Sequence, residues 1–268
     1  MNRVEAVILD WAGTTVDCGC LAPVRAMTKL FEIHGIALSE TDARRDMGLF
    51  KKDHIRRILS LPELRRAWCE GHRQAPNETD VAALFVEFGP IQQAILEERA
   101  GLIGGVAALA GRLVGHGLKL GSTTGYTKPM LDALLACATK QGYRPNLSLC
   151  PDDVGGGRPH PWMCLRIALE FRLTSTAAAI KAGDTVSDIE EARNAGMWAV
   201  GVAATGNEVG LSEPDLAALP PEDRARRVEK ACHRLRAAGA HFVVDSVAEL
   251  EPVIEEINRR LSAGERPT

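Results

Sequence analysis

The chain has 268 residues, 46% of them hydrophobic, enough for one large domain or for a domain that carries an insertion. Its 32 basic and 35 acidic residues give a net charge of −3 without a long run of either sign, which argues against binding to nucleic acid or an anionic membrane and favours a small-molecule partner. No apolar run approaches the ~18 residues of a membrane span, no signal-peptide pattern is visible, and the seven dispersed cysteines indicate reduced thiols, so we expect a cytoplasmic protein.

Short apolar runs recur along the chain and predict the strands of a sheet. They cover residues 4–9, 118–121, 177–182, 198–202 and 241–244, and helical patterns separate them. Strands that helices cover on both faces have continuous apolar sequences rather than alternating ones. The sequence therefore predicts an α/β fold with a Rossmann-like parallel sheet flanked by helices.

About 100 residues without a convincing strand separate the first two runs, too many for a single crossover helix. Helical periodicity covers residues 21–34, 49–59 and 81–100, with Pro90 as a point where the last helix could break. We therefore predict a helical cap, residues 20–98, inserted after the first strand of a core formed by residues 1–19 and 99–268. Residues 205–239 are predicted to form a loop and a surface helix.

Four polar constellations fall at the predicted carboxyl edge of the core, where open α/β sheets bind ligands. They comprise Asp10, the stretch 121–126, the glycine-rich loop 155–161, and the pair Asp184 and Asp188. Hydroxyls and a glycine suit the approach of a phosphate, and the planar fork of Arg158 suits its oxygens. The three aspartates would form a hard oxygen site of the kind that magnesium prefers.

Position 12, two residues after Asp10, is occupied by alanine. Phosphatases that hold a nucleophilic aspartate at the end of a strand usually carry a second aspartate at this position. That second group protonates the alkoxide that leaves a phosphate ester. The alanine therefore indicates chemistry that uses the first carboxylate and does without the acid.

Five stretches resemble the haloacid dehalogenase superfamily and, within it, the family that cleaves the carbon–phosphorus bond of phosphonoacetaldehyde to acetaldehyde and phosphate. They are residues 10–17, 47–54, 122–127, 157–163 and 183–188. The resemblance spans essentially the whole chain. It implies a hydrolase that forms a lysine Schiff base and an aspartyl phosphate.

This resemblance accounts for the alanine, because a carboxylic acid cannot usefully protonate a leaving carbon. The departing electron pair needs a sink, and the protonated imine of a lysine supplies one. Helical spacing leaves Lys51 and Lys52 as equal candidates, and the family motif assigns the role to Lys51. An amine of this kind must lose its proton near neutral pH, which burial under a closed cap and neighbouring positive charge would promote.

The resemblance also implies the other catalytic and substrate-binding residues. Asp10 would attack phosphorus, and His54 would move protons during imine formation. The phosphonyl oxygens would be held by Thr124, Gly125 and Arg158. The pocket would be lined by Cys20, Met47 and Tyr126.

The implied cofactor is Mg²⁺, bound by Asp10, the backbone carbonyl of Ala12 and Asp184. Asp188 would act through a water molecule or a hydrogen bond. The resemblance further implies a homodimer joined through the caps, with a small-molecule phosphonate as the substrate.

Three alternatives remain. A phosphatase or phosphomutase of the same fold would usually need the acid that Ala12 replaces. A dehalogenase also lacks this acid, but it uses no metal, whereas Asp184 and Asp188 indicate one. A binding protein that had lost catalysis would form neither an imine nor a phosphoenzyme.

Overall fold

The structure, a computed structural model, describes residues 3–268. Its strands are β1 (Ala6–Leu9), β2 (Lys119–Thr123), β3 (Leu147–Leu149), β4 (Ala179–Gly183), β5 (Trp198–Val202) and β6 (Phe242–Val244). They form one sheet in the order β3-β2-β1-β4-β5-β6, and every neighbouring pair is parallel. The predicted parallel α/β sheet is confirmed.

Six helices lie between β1 and β2, and the first five of them are α1 (Leu21–Ile33), α2 (Glu40–Arg45), α3 (Lys51–Ser60), α4 (Pro62–His72) and α5 (Glu78–Arg99). The others are α6 (Val106–Gly115), α7 (Lys128–Lys140), α8 (Trp162–Glu170), α9 (Val186–Asn194), α10 (Glu213–Ala218), α11 (Pro221–Ala237) and α12 (Leu250–Ser262). The long stretch after the first strand is therefore helical, as expected, while its division from the core at residues 20 and 98 stays a prediction. Within residues 3–268, no helix has both the length and the apolar character needed to cross a bilayer.

Helices cover both faces of the sheet. In β1, Val7 and Leu9 belong to a hydrophobic cluster that extends into the first five helices after this strand. Ala6 and Ile8 point to the opposite face and pack in a second cluster with Met163 of α8. Alternate residues of a strand face opposite sides, so a strand buried on both sides is apolar throughout.

Several elements differ from the sequence prediction. Strand β3 was not predicted, because it has only three residues at the sheet edge and two of them are half-buried. Helix α4 was not predicted either, since charged residues dominate it and only Leu64 and Trp68 are buried. Helix α5 continues through Pro90, whose neighbours Phe88 and Gln92 are fully buried. Packing on both sides of the proline offsets the one backbone hydrogen bond that it removes.

The strand order brings the ends of three strands together. Both β2 and β4 flank β1, so that Leu9 pairs with Ser122 on one side and Ala182 on the other. The residues that follow these strands therefore meet at one edge of the sheet.

Candidate active site

Asp10 lies directly after β1 and is 5% exposed. Its backbone N–H donates to the carbonyl of Ala182 at 3.0 Å, and its own carbonyl accepts from the Thr15 hydroxyl at 2.9 Å. In the turn that follows, Gly13 has a φ of +83°, and a Cβ there would collide with the Asp184 carboxylate. The turn thus needs glycine both for its conformation and for the close approach of Asp184.

Carboxylate oxygens of Asp10, Asp184 and Asp188 lie within 4.8 Å of one another. Asp184 accepts hydrogen bonds from the Thr14 hydroxyl at 3.0 Å and from the Asn207 backbone N–H at 2.7 Å. Burial, together with the charges of Asp10 and Asp188, raises the pKa of Asp184 well above its usual value. Burial likewise raises the pKa of Asp10. The protein therefore offsets the negative charge of Asp10 and Asp184 only in part.

Asp188 differs from the other two aspartates because cations surround it. One of its oxygens accepts from Lys181 at 2.5 Å and pairs with Arg158 at 2.9 Å, and the other accepts from the Thr185 hydroxyl at 2.5 Å. Although burial opposes it, the positive charges of Arg158 and Lys181 hold the pKa of Asp188 below its usual value. Asp188 is thus a buried carboxylate whose charge stays fixed.

The guanidinium of Arg158 is held by acceptors on several sides. Its Nη2 donates to Asp10 at 2.6 Å and to the Thr123 hydroxyl at 2.8 Å, while its Nε donates to Glu191 at 2.9 Å. With its bond to Asp188, this fork is fixed beside the Asp10 carboxylate. The sequence analysis missed Glu191 and Lys181. Two signals were available in the sequence. Lys181 is a lysine within an apolar strand and proves to be fully buried, and Glu191 follows Asp188 by three residues, on the same face of the helix.

Lys51 is the first residue of α3 and is 2% exposed, whereas Lys52 is half-buried. Its amine lies 3.5 Å from the sulfur of Met47 and 5.5 Å from the centre of the Tyr126 ring. Burial lowers the pKa of Lys51 to about 8, with Arg158 acting in the same direction and the negative charge of Asp10 opposing it. The structure therefore separates the two lysines that helical spacing could not.

A cavity of about 20 Å³ lies between the core and the inserted helices. Its lining residues include the predicted groups Asp10, Ala12, Cys20, Met47, Lys51, Thr124, Gly125, Tyr126 and Arg158. Asp184, Asp188 and His54 lie outside this lining. Such a volume holds about one water molecule, so the insertion is closed tightly over the core.

His54 follows Lys51 by one helical turn and is fully buried. Its ring lies near the backbone of Ala43, but among residues 3–268 neither ring nitrogen has a partner in hydrogen-bond geometry. Burial and the neighbouring charge of Lys51 hold the pKa of His54 well below its usual value. The imidazole is therefore neutral and offers both a donor and an acceptor nitrogen.

The family model for haloacid dehalogenase-like hydrolases matches residues 4–196. A phosphonoacetaldehyde hydrolase from Syntrophobacter fumaroxidans is 45% identical over 264 residues, which cover 98% of this chain and 95% of that protein. Another from Bacillus cereus is 42% identical over 258 residues, covering 96% and 98%. A crystal structure of a phosphonoacetaldehyde hydrolase-like protein from Oleispira antarctica matches with a TM-score of 0.97 and 45% identity, covering 99% of this chain and 96% of that one.

The β-phosphoglucomutase of Clostridium difficile, at a TM-score of 0.69 and 17% identity, shares the fold alone; it covers 97% of this chain and 100% of that one. The more similar relatives match nearly the full length of this chain, including the inserted helices. The chain therefore belongs to the haloacid dehalogenase-like hydrolases and, within them, to the family of the phosphonoacetaldehyde hydrolases.

Proposed function

We propose that the protein hydrolyses the carbon–phosphorus bond of phosphonoacetaldehyde to acetaldehyde and phosphate. One observation supports this proposal above all: Asp10 and the buried amine of Lys51 line the same cavity. In addition, Ala12 occupies the position at which an ester-cleaving enzyme has its general acid. Relatives that match nearly the whole chain are named for this activity.

Lys51 acts first, by forming an imine with the aldehyde. Its neutral amine adds to the carbonyl carbon to give a carbinolamine, whose hydroxyl takes up a proton from solvent and leaves as water, and a protonated imine results. A pKa of about 8 supports this role, because an appreciable fraction of the amine is neutral near pH 7. His54 relays the protons of this step, since its neutral ring can accept a proton at one nitrogen and donate from the other.

Asp10 then attacks phosphorus. The carbon–phosphorus bond breaks, its electron pair moves into the imine to give a neutral enamine, and the carboxylate becomes an aspartyl phosphate. Arg158, Thr124 and Gly125 hold the phosphonyl oxygens during this transfer. The contact of 2.6 Å between Arg158 and Asp10 supports this assignment, because it places the guanidinium where phosphorus must approach.

Water completes the cycle. It hydrolyses the aspartyl phosphate, which frees phosphate and restores Asp10. The enamine takes a proton at carbon, and hydrolysis of the resulting imine releases acetaldehyde and restores Lys51. Carbon is protonated only after it has left phosphorus, so position 12 needs no acid.

Mg²⁺ is the proposed cofactor, bound by Asp10, the carbonyl of Ala12 and Asp184. The raised pKa values of Asp10 and Asp184 support this fit, because a divalent cation would offset the negative charge that burial makes costly. Asp188 would act through water or a hydrogen bond, since Lys181 and Arg158 already offset its charge. When bound, the ion offsets charge so that an anionic nucleophile can approach an anionic phosphonate.

Residues 20–98 are proposed to move as a cap relative to the core of residues 1–19 and 99–268. The cavity between them is only about 20 Å³, too small for a substrate with a phosphonyl group and an aldehyde. The cap must therefore open to admit substrate and close to bring Lys51 to it.

Phosphate release from phosphonoacetaldehyde with Mg²⁺ tests the proposal, with wild type compared with Lys51→Arg. Arginine keeps the positive charge but cannot form an imine. Release by wild type alone would support carbon–phosphorus cleavage through Lys51. Hydrolysis of phosphate esters by both proteins, with no release from the phosphonate, would replace the proposal with a phosphatase.

A homodimer joined through the caps is also proposed. Two exposed apolar side chains on helices that pack together, Ile33 of α1 (57% exposed) and Val86 of α5 (73% exposed), support it, because a partner copy would bury them. Sedimentation equilibrium should give the dimer mass for wild type and a lower mass for Val86→Lys. A wild-type monomer would refute the dimer.

A further inference from the structure

Arg44 of α2 reaches from the inserted helices to the core. Its Nη1 donates to the carbonyl of Gly19 at 2.8 Å and to the side-chain oxygen of Asn207 at 3.2 Å, and its Nη2 donates to the carbonyl of Gly210 at 3.3 Å. The side-chain amide of Asn207 donates back to the carbonyl of Arg44 at 3.2 Å. One guanidinium thus joins the insertion, the point where the chain enters it, and the core loop after β5.

The loop that Arg44 holds also holds Asp184. Asn207 is 2% exposed, and its backbone N–H donates to Asp184 at 2.7 Å. Gly210 has a φ of +70°, and a Cβ there would lie 2.9 Å from the guanidinium carbon of Arg44. The loop is therefore shaped closely around the arginine.

The chain from Arg44 leads directly to Lys51, seven residues later. Between them, the Ser187 hydroxyl donates to the carbonyl of Met47 at 3.3 Å, and Gly48 packs so closely against Ser187 that a Cβ would collide with the serine hydroxyl. The whole segment lies along the core and ends with the Lys51 amine in the cavity.

We infer that Arg44 is a positioning residue that couples docking of the cap to the placement of both Lys51 and Asp184. It does not touch the reacting atoms; it acts through Asn207 and through the segment that leads to Lys51. A lysine could not replace it fully, because one ammonium lacks the planar fork that reaches acceptors in different directions. The catalytic consequence rests on the proposed function, while the docking role does not.

Alkylation of Cys20 by iodoacetamide, followed by mass spectrometry, measures docking without reference to activity. Cys20, the first residue of the cap, lines the cavity between cap and core and is 3% exposed, whereas Cys164 is fully buried within the core and reports general unfolding. Arg44→Gln should speed the labelling of Cys20 by on the order of tenfold while that of Cys164 is unchanged. Arg45→Gln is the matched control, since the Arg45 side chain is 51% exposed and its guanidinium pairs with Asp42 of its own helix.

Two labelling results would overturn the inference. Equal labelling of Cys20 in Arg44→Gln and Arg45→Gln would show that Arg44 does not hold the cap. Parallel acceleration of Cys20 and Cys164 would show general destabilisation instead. Arg44→Lys, which keeps the charge, should fold as wild type does and still label Cys20 faster.

Phosphate release tests the coupling to Asn207. Asn207→Ala removes the side-chain contact with Arg44 but keeps the N–H that binds Asp184. Each single variant should lower kcat by on the order of tenfold, and the double variant should be slower than Arg44→Gln by much less than tenfold, because both substitutions remove the contact between the guanidinium and the Asn207 side chain. Multiplicative effects would overturn the coupling. If wild type releases no phosphate, the proposed function fails, while the labelling of Cys20 still decides the docking role.

Discussion

Replacing Lys51 by methionine should stabilise the fold at neutral pH. Burial lowers the pKa of this amine from 10.5 to about 8, so the folded protein holds a charged group in an unfavourable place below pH 8. Integrated over proton binding, this shift destabilises the wild type by about 3 kcal/mol at pH 7. Methionine has a similar length and carries no charge, so we expect Lys51→Met to recover most of that free energy.

The sign of the pH dependence makes the prediction specific. Between pH 8 and pH 10.5 the unfolded chain binds more protons at this lysine than the folded protein does, so the stability of wild type rises with pH in that window. The advantage of Lys51→Met should therefore shrink from about 3 kcal/mol at pH 7 to about 1 kcal/mol at pH 9.5.

Urea unfolding of both proteins at pH 7 and pH 9.5, with a chelator present, measures these differences. The chelator removes any contribution from metal bound to the folded state. Lys52→Met is the matched control, because Lys52 is half-buried and its replacement should change stability by less than about 0.5 kcal/mol at either pH. An advantage of Lys51→Met that is absent at pH 7, or unchanged at pH 9.5, would refute the burial argument.

Four further outcomes are expected. The value of kcat/KM should rise tenfold per pH unit below pH 8 and level off near the pKa of Lys51, about 8, because only its neutral amine forms the imine. Arg158→Lys should lose most activity, and borohydride reduction with substrate should label the new lysine as well as Lys51, since arginine cannot form an imine but lysine can. Gly125→Ala should lower kcat on the order of tenfold or more, because the added Cβ would lie 2.5 Å from the carbonyl of Leu49 and keep the cap from closing. Mg²⁺ at a hundred times its Kd should stabilise wild type by about 2.7 kcal/mol in urea unfolding, and Asp184→Asn should lose this gain.

Each of these has a contrary result. If kcat/KM were constant from pH 6 to pH 8, the protonation state of Lys51 would not control the rate. Label confined to Lys51 in Arg158→Lys would leave weaker phosphonate binding as the sole defect. Gly89→Ala, where a Cβ meets nothing within 4 Å, is the control for Gly125→Ala, and equal activity of the two would refute the steric argument. Equal stabilisation of Asp184→Asn by Mg²⁺ would place the ion elsewhere.

The carboxylates of the site could be predicted because strand ends are visible in the sequence. Asp10 and Asp184 each follow a buried apolar run, and parallel strands bring such residues to one edge. Arg158 was likewise indicated by its glycine-rich loop, whereas the role expected of Lys51 came from a family motif. Helical spacing allowed Lys52 equally well, because the side of α3 that is buried depends on core loops distant in sequence.

Residues whose role depends on partners far away in the sequence were not predicted. Lys181 and Glu191 matter because they meet Arg158 and Asp188, and no local pattern shows such meetings. The contact of Arg44 with the loop after β5 joins segments more than 160 residues apart. Loop closure over such distances is decided by the complete fold and leaves no periodic pattern along the chain.

The charges around Arg158 also constrain the order of binding. Four buried carboxylates, those of Asp10, Asp184, Asp188 and Glu191, lie around two buried cations, Arg158 and Lys181. With the Lys51 amine neutral, as imine formation requires, and the other groups ionised, this group carries a surplus of two negative charges, which one divalent ion balances and one monovalent ion does not. A phosphonate that arrived before the ion would meet this surplus and be repelled. Ordered binding, with the metal first and the anion second, is therefore the kinetic consequence we expect of this arrangement.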